Sequence, residues 1–307
     1  EINRAVVGKR EALEKIMATA LAGGHVLLED FPGLGKTLIA RSFARTLGLD
    51  FRRIQFTPDL LPADITGGYV YNRASGQFEL RQGPVFTQIL LADEINRASP
   101  KTQSALLEAM QENHVSLEGE TLPLPAPFMV LATQNPIEYE GTFPLPEAQL
   151  DRFLVRLTVG YPSLEEEQAI LQQRRQRQQE EVALNPVLAV GQLLEMRAAV
   201  ETVYIHPDLE QYIVAVVAET RRDRHVAVGA SPRASLALMK LARAQAALAG
   251  RDFVVPDDIK MYFHPVLAHR LLLLPEYWMR KKLVGEVIQT VLRNVAVPVL
   301  EASERMD

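Results

Sequence analysis

The sequence predicts an α/β domain, a parallel sheet core with helices on both faces, followed by an all-helical domain. Three observations carry this. Short apolar runs alternate with helix-period patterns through the first half of the chain; that alternation stops after Tyr161-Pro162; beyond it the pattern is nearly all helical, with little strand signal. The expected division is 1–160 for the α/β domain, with hairpin insertions near 67–82 and 114–125, and 161–307 for the helical domain. A length of 307 residues agrees with two domains at about 150 residues each.

The elements follow in chain order. Leu13, Ile16, Met17, Ala20 and Leu21 recur at intervals of three and four, which lays one apolar stripe along a helix. Residues 26–28, 51–56, 89–92, 128–132 and 153–159 read as strands, and strands separated by helices are what a parallel sheet covered on both faces requires. Tyr69 and Tyr71 face Phe78 and Leu80 across a turn-rich stretch, and Val115 and Leu117 face Leu122 and Leu124 across Glu118-Gly119-Glu120, so two hairpins interrupt the frame. Each is a contact loop or a packed excursion with no partner. Ser99-Pro100 starts a helix, with Ser as cap and Pro at the first helical position. Ser163 with Glu166 three residues on is a capping box at the start of the helical half. Further on, 174–181 is the charged, solvated face of a long helix, Ser231-Pro232 opens a helix that Gly250 closes, and Val255-Pro256 opens the next.

Composition excludes several classes of function. The chain has no cysteine, so disulfides, thiolate metal sites and cysteine nucleophiles are absent. A net charge of -5 argues against coating nucleic acid through positive potential. The apolar runs 213–218 and 271–274 fall short of the roughly 18–20 residues of a membrane span, so none is expected. The opening Glu1-Ile2-Asn3-Arg4 carries no signal-peptide pattern, and a cytoplasmic location is expected. His264 and His269, five apart, have the wrong spacing for two zinc ligands on one helix face.

The strongest chemical signal is Pro32-Gly33-Leu34-Gly35-Lys36-Thr37, set between a strand and the helical run Leu38, Ala40, Phe43 and Leu47. Glycines there let backbone N–H groups turn toward an anion, and the following helix adds its N-terminal dipole. Lys36 would reach the β- and γ-phosphates of a nucleotide, and Thr37 would offer its hydroxyl to Mg2+. The usual loop begins with glycine, whereas this one has Asp30, an acid that must point away from the phosphates. The run Ile89-Leu90-Leu91-Ala92 ends in Asp93-Glu94; beside the first strand, Asp93 falls near Thr37 and holds the magnesium shell, while Glu94 polarises a water in line with the γ-phosphate. Asn135, ending the strand signal before Pro136, emerges on the same sheet edge as a water or γ-phosphate ligand, or else opens an Asn-Pro turn.

Together with Asp93-Glu94-Ile95-Asn96-Arg97-Ala98, the run from Leu145 to Phe153 and both hairpins, these motifs resemble the AAA+ ATPases, and the MoxR family among them, over nearly the whole chain. The resemblance implies a P-loop NTPase domain followed by a helical lid, with ATP/ADP and Mg2+ as cofactors. By position, Asn135 matches the sensor-1 residue and Arg152 the arginine finger that completes a neighbouring subunit's site, although an intrachain pair of Arg152 with Asp151 or Glu147 is the alternative. Arg233 matches the sensor-2 arginine. Val6, Val7 and Gly8 match the segment that packs on adenine, and Pro32, Gly33, Leu34, Gly35, Lys36, Thr37, Leu38 and Asp93 complete the nucleotide contacts. Arg97 faces a subunit interface or solvent, and Gln55 or Thr57 could tether Glu94 in an idle state. Tyr69, Tyr71 and Phe78 line a pore that grips a polypeptide, or pack on each other.

The resemblance further implies a homo-oligomeric ring, a hexamer, acting as a chaperone-like remodeller or maturation factor on a protein client, with a partner bearing a von Willebrand factor A domain. Two rivals stand beside it. One is a nucleic-acid-directed AAA+ motor, which the acidic balance and the lack of a DNA-reading module oppose. The other is a nucleotide-gated scaffold with little turnover, which the presence of Glu94, Asn135, Arg152 and Arg233 opposes.

Overall fold

The computed structural model describes residues 1–135, 141–179, 181–189, 191–280 and 282–299. Pro136, expected to open a turn after Asn135, lies outside them. The chain divides into two compact units, Glu1–Phe153 with Leu157–Glu195, and Leu154–Arg156 with the described residues from Met196 onward.

In the first unit, α1 (Arg10–Leu21) precedes β1 (Val26–Glu29), and α2 (Lys36–Leu47) leads to β2 (Phe51–Gln55). A short α3 (Pro62–Thr66) leads into the hairpin β3 (Gly67–Asn72) and β4 (Gln77–Gln82). Then come β5 (Ile89–Asp93), α4 (Pro100–Glu112), the second hairpin β6 (His114–Leu117) and β7 (Glu120–Pro123), β8 (Met129–Gln134), α5 (Glu147–Leu150), β9 (Val155–Leu157), whose first two residues are grouped with the second unit, and α6 (Leu164–Arg177). The sheet order is β2-β5-β8-β1-β9, and the pairs β2–β5, β5–β8 and β8–β1 are parallel. Strands β5 and β8 run through the middle, which is why Ile89–Asp93 is buried at every position. Leu27, Leu90 and Val130 pack with Phe56, Ile65, Leu106 and Leu107 into one apolar cluster. Burying a side chain of this size is worth about 1.5–3 kcal/mol, and this cluster fixes the strand tips from which the site is built.

Helix starts follow the expected chemistry. Ser99 Oγ accepts from the Thr102 N–H at 3.4 Å at the start of α4. Ser163 and Glu166 form the reciprocal capping box of α6, with Glu166 accepting from the Ser163 N–H at 2.9 Å. Both hairpins form where expected; Tyr71 and Phe78 pair directly across β3 and β4 with ring centroids 5.4 Å apart, and remain exposed. Tyr69 Oη donates to Glu120 at 2.6 Å and so ties the first hairpin to the second.

The two compact units part within α7 (Gln192–Glu201), beyond the boundary near 160 that the change of texture suggested. Contacts distant in sequence keep α6 and its following segment with the first unit. The Val187 N–H donates to Thr46 O at 2.8 Å, and Arg41 pairs with Glu181 at 2.9 Å.

The second unit contains α8 (Pro207–Glu219), β10 (Val226–Val228), α9 (Pro232–Leu248), α10 (Pro256–Lys260), α11 (Phe263–Leu267), β11 (Leu272–Leu273) and α12 (Leu283–Asn294). Among its described residues it is mainly helical, with the isolated bridge of Tyr204 to Phe253 and the short antiparallel pair β10–β11, whose strands are too short to leave a period in the sequence. Ser231 caps α9, and Gly250 follows its end. Among the described residues no helix is long and apolar enough to cross a membrane.

Candidate active site

The phosphate loop is set by β1, whose tip delivers Asp30 and then the glycines. Gly33 and Gly35 have φ of 84° and 78°, and a Cβ added at either meets nothing within 4 Å, so backbone conformation rather than space demands glycine here. Gly35 caps α2, which begins at Lys36 and directs its N-terminus toward the loop. Lys36 is buried, and its Nζ donates to Asp30 O at 2.7 Å. Burial is the largest influence on Lys36 and holds its ammonium below the ordinary 10.5; the charges of Asp30, Asp93 and Glu94 oppose that shift.

Asp30, the departure from the usual loop, turns its carboxylate away from the phosphate side. It accepts from the backbone N–H groups of Val159, of Gly160 at 2.8 Å and of Phe31 at 3.3 Å. An acid in this place ties the loop to the segment following β9 and supplies an acceptor for buried amides that a glycine would leave unmet.

The two acids are held by the neighbouring strand. Thr133 of β8, fully buried, donates to Asp93 Oδ1 at 2.6 Å and accepts from the Glu94 N–H at 2.8 Å. Glu94 sits at φ 56°, an unfavourable conformation for a non-glycine residue, and the Thr133 bond fastens its backbone there. Gln55 Nε2 donates to Glu94 Oε2 at 2.7 Å, and Arg97 reaches the same oxygen at 3.1 Å. The tether expected from Gln55 is therefore present, and Arg97 faces Glu94. Arg53, which belongs to no motif, donates to Asp93 Oδ2 from Nε at 3.1 Å and from Nη2 at 2.7 Å.

A cavity of about 410 Å³ brings the predicted residues together. Gly33, Gly35, Lys36 and Thr37 line one side; Asp93, Glu94 and the buried Asn135 line it from the tips of β5 and β8. Pro32, Arg53 and Gln55 complete the lining. The Thr37 hydroxyl and the Asp93 carboxylate are hard oxygen donors, the set a magnesium ion shared with phosphates takes.

A second cavity, about 290 Å³, opens beside it, with Gly33 and Gly35 lining both. Val6, Val7, Leu34 and Leu38 give it apolar walls that suit a purine ring. Gly8 does not line it. At φ 67°, a Cβ on Gly8 would collide with the Glu166 carboxylate, so Gly8 lets the N-terminal segment lie against the capping box of α6.

The two predicted arginines fall in different compact units. Arg152 follows α5, half-buried and absent from the lining of either cavity. Among the described residues no ion pair engages its guanidinium, neither with Asp151 nor with Glu147. Arg233 occupies the first turn of α9 in the second unit.

Sequence reasoning missed Arg53 and the role of Thr133. The signal for Thr133 was present, a polar residue inside the apolar run of β8; for Arg53 it required the register of β2 on β5, which pairs Gln55 with Asp93.

Comparison with known proteins bears on the whole chain. The model of the ATPase family associated with various cellular activities (AAA) matches residues 25–155, and that of the AAA lid domain matches 218–300. Chaperone MoxR1 of Mycobacterium tuberculosis is 45% identical over 98% of this chain and 82% of its own length. The uncharacterized protein YeaC of Bacillus subtilis is 49% identical over 99% of this chain and 95% of its own. A crystal structure of a Cytophaga hutchinsonii protein superposes with a TM-score of 0.89 at 40% identity, covering 97% of this chain and 93% of that one. With the AAA family matched over 25–155, the lid over 218–300 and a MoxR relative along nearly its whole length, the chain belongs to the MoxR family of AAA+ ATPases.

Proposed function

We propose that this chain binds Mg-ATP and hydrolyses it to ADP and phosphate at an interface between subunits of a ring, a hexamer, and uses the cycle to remodel or mature a protein client. The observation that carries the reading is one cavity lined by Lys36, Thr37, Asp93, Glu94 and Asn135, which unites the phosphate loop with the tips of β5 and β8.

Each residue has a physical task. The glycine loop and the start of α2 would bind the phosphates through backbone N–H groups, and Lys36 would exchange its bond to Asp30 O for phosphate oxygens. Bound Mg2+ would neutralise charge on those oxygens, held by Thr37 and Asp93. Glu94, once released by Gln55, would accept the proton of the attacking water, and Asn135 would orient that water or a γ-phosphate oxygen. Phosphoryl transfer spreads negative charge over the γ-oxygens; Arg152 would stabilise it from the adjacent subunit, and Arg233 would couple the lid to the nucleotide state. Val6, Val7 and Leu38 would receive the adenine. A partner bearing a von Willebrand factor A domain and the exposed pair Tyr71 and Phe78 as a client grip belong to the same reading.

Glu94→Gln decides between hydrolase and scaffold. The variant should bind ATP and retain it unhydrolysed, with turnover reduced at least about a hundredfold. Wild-type turnover in Glu94→Gln would remove Glu94 from the chemistry, and a wild type that binds ATP without turnover would make the chain a scaffold.

A further inference from the structure

The edge strand β2 places two side chains on the two acids. Arg53 and Gln55 are two residues apart and so leave the strand on the same face. Gln55 bonds Glu94, while Arg53 gives two hydrogen bonds to one atom, Asp93 Oδ2, at 3.1 and 2.7 Å. Asp93 Oδ1 already accepts from Thr133 at 2.6 Å. Both oxygens of the expected metal-shell carboxylate are therefore engaged, one by a neutral hydroxyl and the other by a permanent positive charge. Strand pairing does not need that contact, since β2 and β5 are already in register from Phe51 with Ile89 to Gln55 with Asp93. The Asp93 side chain is 12% exposed and that of Arg53 is 47% exposed, so the acid is fixed inside while the cation, which also donates to Gln55 Oε1 at 2.7 Å, reaches solvent.

We propose that Arg53 is the chain's own counter-cation for Asp93, exchanging with the divalent metal that arrives with the nucleotide. With metal absent, Arg53 neutralises an acid that would repel the phosphates across the cavity. When metal is present, Arg53 competes with it for Oδ2. Arg53 thus acts through Asp93 as a positioning residue and sets how strongly nucleotide binding depends on metal. The inference rests on the reading of Asp93 as the metal-shell carboxylate.

The test is the affinity of a fluorescent ADP, measured in excess Mg2+ and again in excess EDTA, for wild type, Arg53→Ala, Arg53→Lys and Asp93→Ala. Arg53→Ala should weaken binding in EDTA by about fivefold while leaving binding in Mg2+ unchanged or tighter, so that the ratio of the two affinities widens. Arg53→Lys keeps the charge and should fall between. A purely structural contact would shift both affinities of Arg53→Ala by the same factor, and an unchanged ratio overturns the proposal. Should Arg53→Ala not fold, Arg53→Gln carries the same comparison. Failure of the underlying reading looks different: wild-type binding would not tighten with Mg2+, or Asp93→Ala would tighten with Mg2+ as strongly as wild type, and the proposal falls with it.

Discussion

Replacing Thr133 by Val tests how the two acids are held. The side chains are nearly equal in volume, and Thr133 is fully buried, so the change removes a hydroxyl and little else. Two bonds are lost. The hydroxyl's bond to the Asp93 carboxylate at 2.6 Å is charge-assisted and worth about 1.5–3 kcal/mol. The bond from the Glu94 N–H at 2.8 Å adds about 1 kcal/mol. A loss of about 3 kcal/mol follows, which at about 2–4 °C per kcal/mol lowers the melting temperature by roughly 6–12 °C. Glu94 also loses the bond that fastens it at φ 56°, a conformation costing about 1–3 kcal/mol, so it relaxes and turnover falls by about tenfold or more. Thr133→Ser is the matched control, because it keeps both bonds and gives up one methyl, at about 1 kcal/mol. Melting curves and steady-state ATPase rates for the pair give the answer. A Thr133→Val protein that melts and turns over like wild type, or a Ser variant as damaged as the Val variant, would refute the assignment of Thr133.

Other substitutions probe the loop and its surroundings. Asp30→Gly restores the usual first residue of a phosphate loop but removes the acceptor of the Val159 and Gly160 amides; it should destabilise by about 2 kcal/mol and raise the KM for ATP, and an unchanged KM would separate Asp30 from nucleotide binding. Burial depresses the Lys36 pKa below 10.5, so the fold disfavours the charged form; that penalty is full at neutral pH and is relieved as pH rises through the window between the folded value and 10.5. Lys36→Met should therefore raise the melting temperature measured without nucleotide at neutral pH while abolishing nucleotide binding, and a lower melting temperature would contradict it. Tyr69→Phe removes the exposed bond to Glu120 that joins the hairpins and should leave the denaturant midpoint nearly unchanged, and a clear drop in that midpoint would contradict it.

What could be read from the sequence was what neighbours along the chain decide. The β1 and β5 runs are apolar enough to declare central strands, and the loop between β1 and α2 carries its chemistry in contiguous residues. The capping boxes and Ser-Pro helix starts are likewise local. The contacts that escaped notice are set by strand register and by long-range ties. Arg53 reads as a polar residue on an alternating edge strand until pairing sets β2 beside β5 and Asp93 within its reach. The compact unit runs on to Glu195 because Val187 bonds back to α2, which no change of composition near that position announces. Gly8 drew attention by its place beside Val6 and Val7, but the room that its lack of a side chain makes for Glu166 is a tie no local pattern announces.

The central claim is a site shared between subunits, and specific ATPase activity against protein concentration tests it most directly. Wild type, Arg152→Ala, and an equimolar mixture of Arg152→Ala with Glu94→Gln would be compared. Activity should rise with concentration in wild type, vanish in Arg152→Ala, and partly return in the mixture, where some interfaces pair an intact Arg152 with an intact Glu94. Arg152→Ala turning over normally at every concentration would contradict the shared site and with it the ring.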